Sequence, residues 1–499
     1  MSRIVLVSNR VLDLRKAAQA GGVAVALADI VRNRPSLWFG WNGEVKPAEE
    51  AGTLYRDGRV VTVPLTPSEH ERYYLGYSNS VLWPVFHNRL DLAQFEAGYF
   101  EQYISVNRRL AGLLQPMLRP DDIIWVHDYH LIPLAIELRK IGVRNRIGFY
   151  LHIPFPPWQT FIAIPEHEQL ARGLAAYDLI GVQTKADASS LIDYTVNSAF
   201  GSILSDGRIR LFDGLVKVGA FPIGIDVADF ANPKPDSSLV QGRGMRRIIG
   251  VDRLDYTKGL PQKLRAFGRF LEKNPQYRRE VVLTQIAPPT RESVEAYLGI
   301  RGELESLAGS INGRFGEIDW VPIHYIHRST PRRRLAGIYR SSRIGLVTPL
   351  RDGMNLVAKE YVAAQDPQDP GVLILSRFAG AAEDLSASLI VNPYDIEVMA
   401  DVLRTAMEMS LDERQARHQA LLSVVQNNDI RTWCQAFLDQ LAKVSSPDDP
   451  ETWQEPEPIR HALEKLSHVS ARPSPGPRRF GGEAAAALPL AGRTPVTGL

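Results

Sequence analysis

The stretch Ile123-Ile124-Trp125-Val126-His127-Asp128-Tyr129-His130 sets four apolar residues in succession and then turns polar. A strand that is apolar on both faces is covered on both faces, the habit of a parallel sheet between two layers of helices. That reading makes the fold class α/β. Polar groups gathered where such a strand ends belong to a ligand crevice more often than to a core.

Working outward, the same pattern of short β-branched run, polar or glycine-bearing loop and helical periodicity predicts strands over 3–8, 146–152, 179–183 and 216–221. A linker rich in Pro, Asp, Ser and Gly, 231–244, interrupts it, and the pattern then begins again. Strands are predicted over 246–251, 281–286, 320–325, 344–348 and 372–376, with helices over 259–273 and 355–364. Two Rossmann-like doubly wound domains are expected, 1–235 and 245–444, facing a central cleft into which the carboxyl ends of their strands open. The helical segment 395–444 would close the second domain, its last helix free to cross back to the first. Residues 445–499 are rich in Pro, Ala, Gly and Arg and read as a mostly disordered tail.

Composition narrows the function. At 499 residues the chain exceeds what one hydrophobic core sustains. Its 58 basic and 56 acidic side chains leave a formal charge of +2, so no overall field would draw nucleic acid or a membrane surface. Any anion must be gripped by a local cluster. The single cysteine, Cys434, excludes an internal disulfide and a cysteine-based zinc site and fits a cytoplasmic setting. The first apolar run is too short for a signal peptide, and no run reaches the roughly eighteen apolar residues of a membrane span.

Three segments carry chemistry. In Val251-Asp252-Arg253-Leu254-Asp255-Tyr256-Thr257-Lys258-Gly259-Leu260, two cations flank a strand-to-helix loop. Arg253 offers a planar fork and Lys258 a mobile point charge, a pair suited to a departing diphosphate, although two exposed surface cations would read the same way. In Leu346 to Tyr361, a turn at Asp352-Gly353 leads into a helix whose first free N–H groups, around Met354 to Val357, suit phosphate or sugar hydroxyls. Glu360 on that helix could accept from ribose hydroxyls, or be an ordinary exposed glutamate. At the ends of two strands, His127-Asp128-Tyr129-His130 and Leu151-His152-Ile153-Pro154 offer Asp128 to accept from a sugar and His152 to donate to one. A metal set of His127, Asp128 and His130 is weakened by strand alternation, which turns 127 and 128 to opposite faces. Gly21-Gly22 opens a helix near Ser8-Asn9-Arg10, but the dinucleotide fingerprint is absent. No Walker loop, nucleophile elbow or metalloprotease helix is present.

Together with Leu-Trp-Phe-Gly-Trp (37–41) and Val-Leu-Trp-Pro-Val-Phe-His (81–87), these segments make the chain, from Ser2 to about 444, resemble the bacterial trehalose-6-phosphate synthases, retaining glycosyltransferases of the GT-B type. The resemblance implies transfer of glucose from a nucleotide-glucose to glucose 6-phosphate, without a cofactor or metal and without a protein nucleophile. It implies that Arg10 and Arg291 hold the acceptor phosphate, with Tyr74, Trp83 and Asp128 around the sugar. It places the sugar donor on Gly21, Gly22, His152, Arg253, Lys258, Arg340, Asp352 and the run Asn355, Leu356, Val357, Ala358, Lys359 and Glu360. Arg253, Lys258, Asp352 and His152 are the expected catalytic set, Asp352 rather as a contact to glucose than as a nucleophile. UDP-glucose is the favoured donor, although no motif selects UDP over ADP or GDP. A homo-oligomer, dimer or tetramer, stands among the expectations. The loop Val11 to Ala20 and the basic tail depart from the family. A synthase with another acceptor, such as glycerol 3-phosphate, a pseudo-glycosyltransferase and a silent sugar-phosphate sensor are the competing readings.

Overall fold

The computed structural model describes residues 2–11, 23–198, 200–231, 233, 245–290 and 295–444. Gly21, Gly22, Arg291, most of the 231–244 linker and the stretch from 445 onward lie outside the described residues.

Ten strands form the first sheet: β1 (Ile4–Arg10), β2 (Ser36–Val45), β3 (Tyr55–Asp57), β4 (Val60–Leu65), β5 (Ile123–His127), β6 (Arg146–Tyr150), β7 (Leu179–Val182), β8 (Gly201–Ile203), β9 (Ile209–Leu211) and β10 (Gly214–Ala220). Their order is β3-β4-β2-β1-β5-β6-β7-β10-β9-β8. The seven strands from β4 to β10 in that order pair in parallel, and only the hairpins at the two edges are antiparallel. Trp125 in β5 is fully buried, as the unbroken apolar run requires.

Six parallel strands form the second sheet: β11 (Arg246–Val251), β12 (Val281–Ile286), β13 (Ile323–Ile326), β14 (Ile344–Val347), β15 (Val372–Ser376) and β16 (Leu389–Val391). They lie in the order β13-β12-β11-β14-β15-β16. The chain thus winds outward from β11 in one direction and from β14 in the other, so their carboxyl ends bound the crevice where the winding reverses. In the first sheet the same reversal falls between β1 and β5, which run in register from Ile4 opposite Ile123 to Ser8 opposite His127.

The strand expected over 320–325 begins later, at Ile323. Trp320 instead closes a small antiparallel bridge with Glu317, and Pro322, lacking an N–H, contributes only its carbonyl, which accepts from Leu283. The helix Ile430–Lys443 lies on the first sheet, where Phe437 stacks on Trp125 with centroids 4.5 Å apart. Gly148 of β6 and Gly181 of β7 make room for it: a Cβ on either would come within 2.8 Å of the Phe437 ring.

Candidate active site

The loop after β11 is built from beneath. Lys263 and Asp252 form a buried ion pair at 2.6 Å, and Asp255 accepts from the Thr257 N–H at 3.0 Å. Gly259, at φ 64, turns the chain into the helix Leu260–Lys273, and its missing side chain lets the Thr348 carbonyl approach, since a Cβ would lie 2.3 Å from that oxygen. Lys258 is thereby held beside the loop after β14, whose Leu350 N–H donates to the Thr257 carbonyl at 2.7 Å. Its ammonium lies 2.6 Å from Asp352 Oδ2, which also accepts from Asn355 Nδ2 at 3.0 Å. Asn355 adopts the left-handed conformation, φ 73, and opens the helix Leu356–Ala364.

Across the cleft, the polar ends of β5 and β6 are tied together. Asp128 has φ 77 and ψ 163, a region that costs a non-glycine residue about 1–3 kcal/mol and that clusters at functional sites. Its Oδ1 accepts from the His152 backbone N–H at 3.2 Å. The rings of His127 and His152 meet through Nδ1 and Nε2, also at 3.2 Å. Burial drives His152 down to about 3 and His127 well below the ordinary histidine value, so both rings are neutral.

Beside them stands an aromatic wall. The Arg10 guanidinium lies 5.1 Å over Trp41 and against Gly43. Trp41 meets Tyr74 edge-on at 5.1 Å, and Tyr74 stacks on His130 at 5.9 Å. Tyr74 sits within the π-helical segment His70–Leu82, and Trp83 follows it directly. Trp83 reaches the other domain, for Arg253 lies 5.4 Å over its ring. The two strand-end loops also touch: Arg351 donates to the Phe155 carbonyl at 3.1 Å, and a Cβ on Gly353 would lie 2.1 Å from the His152 carbonyl oxygen. Among the described residues no group of three or more His, Cys, Asp or Glu side chains is disposed to hold a metal ion, and His127, Asp128 and His130 form no such set.

The sequence pattern of glycosyltransferase family 20 matches residues 7–443. The chain belongs to that family. It is 45% identical over 455 residues to the trehalose-6-phosphate synthase of Sodalis glossinidius, covering 89% of this chain and 97% of that protein. The crystal structure of an α,α-trehalose-phosphate synthase (UDP-forming) from Burkholderia xenovorans, in complex with glucose 6-phosphate, superposes with a TM-score of 0.85 at 46% identity, covering 88% of this chain and all of the other. An E. coli protein of the same kind, bound with UDP-2-fluoro glucose, superposes with a TM-score of 0.85 at 44% identity, covering 89% of this chain and all of the other. The two parallel α/β domains are the GT-B architecture.

In this family 20 chain the cleft gathers Arg253, Lys258, Asp352 and Asn355 from the second sheet, and Asp128, His152, Tyr74, Trp83 and Arg10 from the first. Leu356 and Val357 are half-buried in the first helical turn, where N–H groups lack intrahelical acceptors, while Ala358 is buried in the core. Lys359 does not join the site: its buried ammonium donates to the Ile223 carbonyl at 2.8 Å and lies 3.8 Å from Asp384. Burial lowers it to about 8. Glu360 is raised by burial to about 7, an effect the nearby Arg332 charge opposes, and its Oε2 accepts from Tyr339 at 3.4 Å.

Arg340 is not brought to the cleft either. The helix Arg332–Arg340 descends from the carboxyl end of β13 toward the amino end of β14, so Arg340 lies about 12 Å along the axis from Arg332, at the opposite edge of the sheet. There it pairs with Asp366 at 2.8 Å. Arg332, at the cleft end, pairs with Asp229 at 3.1 Å and lies 4.6 Å over Phe230. The run of three arginines at 332–334 was the signal for it, legible only once the helix direction is known.

Proposed function

We propose that this chain transfers glucose from a nucleotide-glucose, UDP-glucose by preference, to glucose 6-phosphate with retention of configuration, giving α,α-trehalose 6-phosphate. The observation that carries the reading is the meeting of two strand-end clusters: Lys258 on Asp352, with Arg253 alongside, faces Asp128 and His152 across one cleft. Relatives bound to glucose 6-phosphate and to a UDP-glucose analogue support it. In this reading 1–235 binds the acceptor and 245–444 the sugar donor.

The bond from the anomeric carbon to the diphosphate breaks as the acceptor's anomeric hydroxyl attacks from the same face. Its proton passes to the departing phosphate oxygen, and the nucleoside diphosphate leaves. Arg253 and Lys258 neutralise the charge that accumulates on the diphosphate, as fixed cations can without solvent reorganisation. Asp352, already accepting from Lys258 and Asn355, is a weak nucleophile and serves better as an acceptor for glucose hydroxyls. Glu360 takes the ribose hydroxyls. Arg10, on its aromatic wall, takes the acceptor phosphate together with Arg291.

The test is purified protein supplied with UDP-, ADP- and GDP-glucose and a panel of acceptors, following nucleotide release and product identity. Transfer to glycerol 3-phosphate in preference to glucose 6-phosphate, or no transfer to any acceptor, overturns the assignment.

A further inference from the structure

The helix Lys185–Asn197 of the first domain has its opening turn satisfied from both domains. The first N–H groups of an α-helix have no intrahelical acceptors. Here the Asp187 N–H goes to the Thr184 hydroxyl oxygen at 3.0 Å, a local cap. The Lys185 and Ala186 N–H groups go to Glu383 Oε2 and Oε1, at 3.2 and 3.4 Å. Glu383 belongs to the second domain, and a carboxylate is the group a helix N-terminus favours.

A second residue of that domain reaches the same turn. Asp187, its side chain 5% exposed, accepts from the Thr184 hydroxyl at 2.6 Å and from the Phe155 N–H at 3.0 Å, and the Arg351 guanidinium lies 3.8 Å from its Oδ1. Burial raises the Asp187 carboxyl and lowers Arg351, and each charge opposes the shift of the other. The buried Arg351 Nε–H finds no acceptor in the protein. A charge so incompletely paired contributes little to stability, and setting register is the best-attested use of one.

Both residues act on the Asp352 loop. Arg351 precedes Asp352 in the chain. The turn Gly380–Ala382, which ends at Glu383, donates from Gly380 to the Asp352 carbonyl at 3.1 Å and from Ala381 to the Met354 carbonyl at 2.8 Å. Gly380 is wedged between loop and helix: a Cβ there would lie 1.8 Å from the Gly353 carbonyl oxygen and 2.9 Å from the Thr184 methyl. We propose that Arg351 and Glu383 are positioning residues that register the Asp352 loop on the first turn of Lys185–Asn197, and so set Lys258 and Asp352 opposite Asp128 and His152. The inference rests on reading the cleft as the place where sugar donor and acceptor meet. Each substrate is held mainly by one domain in that reading, so an error of register is felt when the two must react, in kcat rather than in KM.

Hydrogen exchange of the full-length protein without substrate reads the contact itself. The Lys185 and Ala186 N–H groups are expected to be protected in wild type and to exchange about tenfold faster or more in Glu383→Ala. Steady-state kinetics read its purpose. Arg351→Met is expected to lower kcat roughly tenfold or more, with KM for both substrates and the dissociation constant of UDP within about twofold of wild type. Adding Asp187→Asn to Arg351→Met is expected to cost little more, as for two halves of one contact. Wild-type kcat in a folded Arg351→Met, with or without a lowered urea midpoint, or free exchange of Lys185 and Ala186 in wild type, overturns the proposal. Should Arg351→Met not fold, Glu383→Ala, whose contacts lie at the solvent edge, decides: it is expected to lower kcat about threefold or more at an unchanged urea midpoint, and wild-type kcat there overturns the proposal. A wild type that transfers no glucose while Glu383 protects Lys185 and Ala186 would overturn the functional reading and leave the register of the two domains standing.

Discussion

At Lys258 a short contact with Asp352, 2.6 Å, fixes a cation on the loop after β11, where the proposed reaction needs one for the departing diphosphate. Removing either cation of the proposed diphosphate grip, in Lys258→Ala or Arg253→Ala, is expected to lower kcat about a hundredfold or more, with little change in the urea unfolding midpoint. Lys258→Arg should rescue only in part, since a planar fork replaces a compact ammonium poorly, and turnover should persist in EDTA. Abolition by the chelator and restoration by magnesium would contradict the mechanism. Glu360 carries the pH dependence. Burial raises its carboxyl to about 7, so below that pH it is protonated and a poorer acceptor for ribose hydroxyls. Donor KM should therefore fall as pH rises from 6 to 8, and Glu360→Gln should flatten that profile. The same raised pKa means the folded chain binds more protons than the unfolded one between the ordinary glutamate value and about 7, so this group's contribution to stability is lost as pH rises through that window. Arg10→Ala should weaken glucose 6-phosphate by about 2–4 kcal/mol, read as a rise in its KM with donor KM unchanged.

At the level of elements, the site is made where loops from the two sheets interlock. Gly353 lies so close to the His152 carbonyl that a Cβ would stand 2.1 Å from the oxygen, and the neighbour is backbone, which cannot swing aside. Gly353→Ala is expected to force the β14 loop off the end of β6, costing about 1–3 kcal/mol of stability and a larger share of kcat than of acceptor binding. Chemical denaturation together with steady-state kinetics would check it. A variant with wild-type stability and turnover would show that the loops are not closed against each other during catalysis.

For the molecule as a whole, the helix Ile430–Lys443 ties the end of the second domain to the first sheet. Phe437 fills the space above Gly148 and Gly181 and stacks on Trp125. Phe437→Ala is expected to cost about 3–5 kcal/mol, measured as a shift of the urea midpoint, and to disturb the neighbouring wall of Trp125 and Trp433 around His127 and His152. The glycines would keep the cavity open, because they offer no side chain to collapse into it.

The class of fold, and the segments whose polar residues gather at the cleft, could be read from the chain because both are written locally. An unbroken run such as Ile-Ile-Trp-Val can be covered only on both faces, and polar residues at the end of a parallel strand have few other uses. Arg253, Lys258, Asp352 and Asn355 come together because each sits on a loop whose turn residues, Gly259 and the left-handed Asn355, are themselves local signals. Relations between distant segments were not legible. The strands β2 and β4 are missing from the predicted set although Leu37-Trp38-Phe39 and Val60-Val61-Thr62-Val63 carry strand-like runs, whereas the π-helical segment His70–Leu82 has no periodicity of its own to announce it. Arg332 and Arg340 are chemically alike, and only the direction of their helix puts Arg332 at the cleft and Arg340 at the opposite end of the strands. Lys359 turns inward to Ile223 because that face of its helix packs on the core, and His127 becomes the partner of His152 because β5 and β6 lie side by side. Residue type and spacing determined what the chain can do chemically; helix direction, strand order and burial decided which of its candidate residues can do it, since those depend on contacts between residues far apart in sequence.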